Sequence, residues 1–435
     1  MTQPLALAME KSVYGGDCLT HLPSSGKGPG KALFVPLVLP GEEIEAVVIE
    51  EKRNFARAEA TRLLAPSPAR TEPRCPYFGS CGGCQYQHAL YEAQLDMKRG
   101  ILRETLLRAG VTAPTAIATL AGDPWGYRNR VRFAVREDGQ LAYRGRASHA
   151  LVAVETCSIA APALMSAALA VAEWSLGHPA PTPLREIEIF ANQDDSEMLI
   201  ALFVAETPDK ETAHAWLTTL HATLPTHVSG LRMEVNDGRL EPNVVAISGR
   251  ASLTYTTAGI AYRVDAGAFF QVNRFLLDDF VARVVSYLPD AKLAWDLYAG
   301  VGLFARQLAS RYERVEAVEI ATASREALAH NLAETNAVPI ISTTLDYLRA
   351  NRERREPRPD AILVDPPRAG LGTEVTQLLN AIHAPDLVYV SCDPATLARD
   401  LKALTAERYR IAEITLVDMF PQTFHIETVV HLRQA

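Results

Sequence analysis

At 435 residues, with 48% apolar and 22% charged side chains, the chain has material for two or three separate hydrophobic cores. No apolar run is long enough to span a bilayer, and MTQPLALAMEKS has no basic segment ahead of its short apolar stretch, so a cytoplasmic protein with no membrane partner is expected. A formal net charge of −8 argues against nucleic-acid binding through overall charge, and leaves such binding to a local patch.

In chain order, the first seventy residues read as short strands. SVYGGDCLTHL turns at Gly15-Gly16, and the stretch from Gly30 to Leu64 alternates apolar and polar positions around Pro40-Gly41. Short strands with tight turns predict a small β-barrel. Pro66, Pro68 and Pro73 mark a linker. Residues 89–109 have a helical pattern that stops at Gly110. From Trp125 to Tyr255 the chain is strand-rich, with helices near 161–176 and 209–223. From Asp265 onward the apolar runs LAWDLY, RVEAVEI, DAILVD and DLVYVSC are each followed by a helical pattern, which predicts an α/β, mostly parallel doubly wound sheet.

Of six cysteines, three fall within ten residues, as Cys75-x5-Cys81-x2-Cys84. In a large cytosolic protein that crowding points to metal or cluster ligation before disulfides. His88 would complete a Cys3His zinc site, and Cys157 would instead complete four thiolates for a [4Fe–4S] cluster. Spacing favours the local histidine slightly, because closing a short loop costs less entropy. The stretch from Gln94 to His149 carries ten basic residues, with Tyr127, Phe133 and Tyr143 interleaved, and is the physical candidate for phosphate and base contacts.

Asp296-Leu-Tyr298-Ala-Gly300-Val-Gly302 ends one apolar run and opens a helix at Leu303. Glycines there let the backbone pass close to a ligand, and Glu319, at the end of the next strand pattern, can accept hydrogen bonds from both hydroxyls of a ribose. A nucleoside-containing cofactor follows. NAD fits less well, since the position of the third glycine of a dinucleotide fingerprint is Ala305. Asp346 could meet an adenine amine.

Asp365-Pro-Pro-Arg368 ends the run DAILV, at the edge of the sheet where the glycine turn lies. Arg368 stands where an amino-group methyltransferase carries an aromatic residue, which weighs against N-methylation. Ser391-Cys392-Asp393-Pro394 lies between a strand and a helix that Asp393 can cap, and a helix N-terminus favours a thiolate. A thiolate adding to C6 of uracil would make C5 nucleophilic enough to take a methyl group, and a base must then remove the C5 proton. Glu427, in HIETVVHL, can be that base if its strand lies beside the Cys392 strand.

DLYAGVGLF, DPPRAG, VSCDPATLARDL, PQTFHIETV and FFQVN resemble the RNA uracil-5-methyltransferase family, including its ribosomal-RNA branch, along nearly the whole chain. The resemblance implies S-adenosylmethionine as methyl donor, Cys392 as nucleophile and Glu427 as proton-abstracting base. It implies that Gln271, Tyr298, Gly300, Leu303, Glu319, Asp346 and Asp365 line the cofactor and base pockets. The family often has asparagine where Asp393 stands and a polar residue at Leu303. The resemblance also implies a structural [4Fe–4S] cluster on Cys75, Cys81, Cys84 and Cys157, with zinc as the alternative. It implies an RNA-binding TRAM-like barrel over residues 1–67, a central RNA-binding domain over 68–90 and 118–258, and a Rossmann-like methyltransferase domain over 91–117 and 259–435. The expected substrate is 23S rRNA, with tRNA as the alternative, and the enzyme is expected to act as a monomer on an extruded base. A non-catalytic RNA-binding protein is the rival from another class.

Overall fold

A computed structural model of the protein describes residues 4–22, 30–235, 243–353 and 357–435. The chain divides into two compact units, one of Met1–Glu104, Tyr143–Val152 and Phe420–Ile426, the other of Thr105–Ala142, Ala153–Met419 and Glu427–Ala435.

The first unit is built on a six-stranded sheet in the order Leu5–Ala8, Glu43–Glu51, Phe55–Ala65, Ala32–Pro36, Asp17–His21, Lys11–Ser12. The predicted alternation is realised: Leu33, Val35, Ile44, Ala46, Ala56 and Ala58 are fully buried on one face. The proline-rich linker is pinned to this sheet. Glu42, wholly buried, takes Arg70 Nε and Nη2 on its two oxygens at 2.5 and 2.7 Å, along with the backbone N–H of Leu39. The segment Phe420–Ile426 is held in the same unit by Lys98 and Gln94. Lys98, with no exposed surface, donates to the Phe420 carbonyl at 3.0 Å, and Gln94 exchanges two hydrogen bonds with Gln422.

The second unit holds two large sheets. One contains, in order, Arg130–Val135, Leu184–Ala191, Met198–Val204, Val228–Val235 and Asn243–Gly249, with helices Pro162–Gly177 and Lys210–Thr223 packed on it. The other has eight strands in the order Ala337–Ile341, Tyr312–Glu319, Ala291–Leu297, Ala361–Val364, Asp386–Ser391, Glu427–Gln434, Tyr409–Val417, Ala118–Leu120. The first five are mutually parallel, as the alternating strand and helix patterns predict. Glu427–Gln434 then runs antiparallel between two neighbours, one of which is the Cys392 strand.

Two of the three interleaved aromatics of the basic stretch are core residues: Tyr127 and Phe133 are fully buried and cannot stack on a base, while Tyr143 is half-buried. Several of its cations are spent inside the protein, Arg132 on Glu186, Arg146 on Glu59 and Lys98 on the Phe420 carbonyl. Among the described residues no helix is long and apolar enough to cross a membrane.

Candidate active site

The ends of neighbouring strands bring the sequence-predicted groups together. Ser391 pairs with Thr428 across antiparallel strands, so one step further Cys392 faces Glu427. Val364 pairs with Tyr389, which puts Asp365 on the same edge, and Leu297 pairs with Val364, which brings Tyr298 beside Asp365. Glu427 is buried, while Cys392 and Asp365 are half-buried.

Helix Pro394–Thr405 starts where expected. Asp393 caps it by accepting the N–H groups of Ala395 and Thr396 at 3.0 and 2.9 Å, and Pro394 fills the first turn. The Cys392 thiol is not lowered as the helix end alone would suggest. Burial pushes it up to about 12, the carboxylates of Glu427 and Asp365 push the same way, and Arg368 opposes them. Glu427 is held well above the usual carboxylate range by burial first and Asp365 second, with Arg368 again opposing. Burial raises Asp365 too. Three groups that each resist ionisation thus crowd one strand edge.

The glycine turn shows why its residues are glycines. Tyr298, Gly300 and Gly302 have φ of +66°, +56° and +86°. A Cβ on Gly302 would lie 3.0 Å from Leu328, whereas one on Gly300 would meet nothing within 4 Å. Gly300 thus borders open space that a ligand backbone or sugar can enter, and Gly302 is a packing glycine. Glu319 Oε2 accepts the Gly300 N–H at 2.8 Å, and its Oε1 accepts those of Ile320 and Ala321 at 2.7 and 2.6 Å. Oε2 keeps a further lone pair for a hydroxyl, whereas both lone pairs of Oε1 are taken by backbone N–H groups. Glu319 pairs with Ile341 at the next strand end, and Ile320 and Ile341 are both about half exposed there (48% each). These residues fit a nucleoside.

The remaining predicted positions are mixed. Asp346 lies in the first turn of helix Thr344–Asn351, where it accepts the Thr343 hydroxyl at 2.7 Å, and its side chain is largely exposed. Leu303 is buried, and its carbonyl accepts the Tyr262 hydroxyl at 3.0 Å. Gln271 is buried, with its carbonyl accepting Asn129 Nδ2 at 3.0 Å. Cys75, Cys81, Cys84 and Cys157 are half-buried. Among the described residues no three His, Cys, Asp or Glu side chains stand together as a metal-binding group. His88 is buried against Phe78, and burial lowers its ring to about 4, which keeps it neutral.

Two further residues support the site. Asn331 donates to the carbonyls of Val301 and Arg263, both at 2.9 Å, and so braces the glycine turn from helix Arg325–Leu332. Asp296, wholly buried below that turn, is pushed up to about 8 by burial. An acid as first residue of a strand-ending glycine motif was the available signal for Asp296; nothing in the sequence marks Asn331.

Residues 90–435 match the model of the tRNA (uracil-5-)-methyltransferase family. The chain is 33% identical to the 23S rRNA (uracil(1939)-C(5))-methyltransferase RlmD of Halomonas elongata, across 93% of this chain and 85% of that one. It is 32% identical to an RNA methyltransferase of Aquifex aeolicus, across 99% of this chain and 98% of that one. Among solved structures it is similar to the Pyrococcus abyssi tRNA (uracil-54, C5)-methyltransferase in complex with S-adenosyl-L-homocysteine, with a TM-score of 0.77 at 24% identity, over 98% of this chain and all of that one.

Proposed function

Because the chain belongs to the tRNA (uracil-5-)-methyltransferase family, we propose that it methylates C5 of a uridine in RNA through a covalent adduct on Cys392. The observation that carries this reading is the facing pair Cys392 and Glu427 on adjacent antiparallel strands, at the edge that also holds the glycine turn.

S-adenosylmethionine, when bound, supplies an electrophilic methyl group. Gly300 and Glu319 would hold its nucleoside, with Ile320 and Ile341 against the adenine and Asp346, Tyr298, Gln271, Leu303 and Asp365 around the pocket. Cys392 adds as thiolate to C6; the S–C6 bond forms as the C5–C6 π pair moves into an enolate. C5 takes the methyl group, and the pair of the broken sulfur–methyl bond stays on the donor sulfur. Glu427 then removes the C5 proton, the C5–C6 double bond re-forms and the thiolate leaves. A raised Glu427 suits a base that must hold a proton without solvent.

The decisive experiment uses RNA with 5-fluorouridine at the target, where no C5 proton can be lost. The wild type should give an adduct that survives denaturing electrophoresis, Cys392→Ala should give none, and Glu427→Gln should trap one with ordinary RNA. No adduct in the wild type would sink the mechanism.

The resemblance to an rRNA enzyme favours 23S rRNA over tRNA. Mapping 5-methyluridine in both RNAs with and without the gene separates them. A [4Fe–4S] cluster on Cys75, Cys81, Cys84 and Cys157 is supported by three thiols within ten residues and a fourth at Cys157, with zinc as the rival. Iron, acid-labile sulfide and zinc counted per chain decide between them. The domain limits 1–67, 68–90 with 118–258, and 91–117 with 259–435 belong to the same reading, as do a cytoplasmic location and a monomeric enzyme.

A further inference from the structure

The turn Pro366–Leu371, which follows Asp365 and carries Arg368, is fastened by several side chains of one helix. Asp400 Oδ2 accepts the Leu371 N–H at 2.7 Å and the Tyr389 hydroxyl at 2.8 Å. Its neighbour Arg399 donates to the Ala369 carbonyl at 2.9 Å and pairs with Asp400 Oδ1. Thr396 donates its hydroxyl to the Arg368 carbonyl at 3.2 Å. Gly370, at φ +73°, lies so close that a Cβ would sit 2.5 Å from Asp400 Oδ2 and 2.8 Å from Arg399. All three anchors stand on helix Pro394–Thr405, which opens two residues after Cys392.

We propose that Asp400 is a positioning residue of the methyl-transfer site, pinning the turn that carries Arg368 to the helix that fixes Cys392. The proposal rests on Cys392 being the nucleophile. The same helix opens beside the thiol and, through Asp400, Arg399 and Thr396, holds the backbone of Arg368, so one element sets where both the sulfur and the start of the Arg368 side chain lie. Asp400 itself does not touch substrate. Tyr389 comes from the Cys392 strand, so the carboxylate joins strand, helix and turn at one buried point (1% exposed). The consequence is electrostatic. Arg368 is a positive charge that offsets the two carboxylates facing the thiol, and it favours both the thiolate of Cys392 and the carboxylate of Glu427. A loosened turn would weaken that offset even with every reacting group present.

A buried acid that merely supports the fold would leave another signature. The test measures the rate of adduct formation with 5-fluorouridine RNA at saturating RNA and S-adenosylmethionine, in Asp400→Ala, Arg368→Gln and the double variant. Asp400→Ala should slow the adduct by about tenfold, the effect of one or two lost hydrogen bonds to a charged group. In the Arg368→Gln background the same change should add less than about twofold, because the group being positioned is gone. Asp400→Asn, which keeps an acceptor, should recover most of the rate. Should Asp400→Ala not fold, Thr396→Val leaves Asp400 in place, removes the hydroxyl that bonds the Arg368 and Asp393 carbonyls, and should slow the adduct about threefold while Arg368 is present and less in the Arg368→Gln background. An unchanged rate in the folded Asp400 or Thr396 variant, an equal loss in both backgrounds, or no effect of Arg368→Gln overturns the proposal. A wild type without adduct, or an adduct in Cys392→Ala run alongside, fails the nucleophile reading instead.

Discussion

A carboxyl group with no exposed surface must either find a strong partner or keep its proton, and Asp296 does the second. Burial raises it from 3.8 to about 8, with Asp365 and Glu319 adding to the rise. A raised acid binds a proton in the folded chain that it would release when unfolded. Its contribution is therefore fully present below about pH 4 and lost as pH climbs through 8. Asp296→Asn keeps the shape and removes the titration. The melting temperature of the wild type should fall relative to the variant between pH 5 and pH 9, by about 2–4 °C for each kcal/mol lost, in paired thermal scans. Cys392 gives a second measurement. With the thiol near 12 and Glu427 the largest charge opposing its ionisation, alkylation of Cys392 should still be climbing at pH 10. Glu427→Gln should make it faster at pH 8, read by mass spectrometry of the Cys392 peptide. Residues with their own reactivity were legible in the sequence: Cys392 and Glu427 stand out by type, and their meeting needed only the guess that two strands are neighbours. Asp400 and Asn331 were not legible, because a buried acceptor and a buried amide look like any polar residue on a helix until the turns they hold are seen.

The strand-to-helix turns separate glycines by their surroundings. Gly300 and Gly302 look alike in the sequence and differ in space: one borders open volume, the other packs against Leu328 and Leu332. Both have positive φ, so alanine at either position costs roughly 1–2 kcal/mol in backbone strain. Gly302→Ala adds a clash and should lose stability beyond that. Gly300→Ala should lose only the strain yet reduce S-adenosylmethionine affinity more, since the new methyl points into the open space. Denaturant titration and calorimetric binding on both variants separate the two costs. The parallel sheet itself was legible, because buried strands in such a sheet read as continuous apolar runs and each was followed by a helical period. The aromatic residues of the basic stretch misled for a related reason: alternation says that a strand has two faces, and does not say which of them is covered. Tyr127 and Phe133 occupy the covered one.

At the scale of the whole chain, composition foretold several cores but not that the chain would return to an early one. Phe420–Ile426 comes 328 residues after Gln94 in hydrogen-bond partnership, folds with Met1–Glu104, and ends one residue before Glu427. Gln422 has φ +68°, a conformation a glutamine keeps only when its surroundings over-determine it. Those surroundings are specific. Its N–H and its side-chain oxygen both bond to Gln94, and its carbonyl takes the N–H groups of Gln85 and Tyr86 at 3.0 Å each, just after Cys84. Gln94→Ala would leave a buried donor and a buried acceptor unpaired, at a cost of roughly 2–4 kcal/mol. The strained backbone then has less to hold it. Native-state hydrogen exchange should accelerate at Phe420–Ile426, while amides in the middle of the Asp386–Ser391 and Glu427–Gln434 pair, already satisfied by their own ladder, keep wild-type protection. Equal acceleration in that ladder would mean that the loop and the sheet open as one cooperative unit.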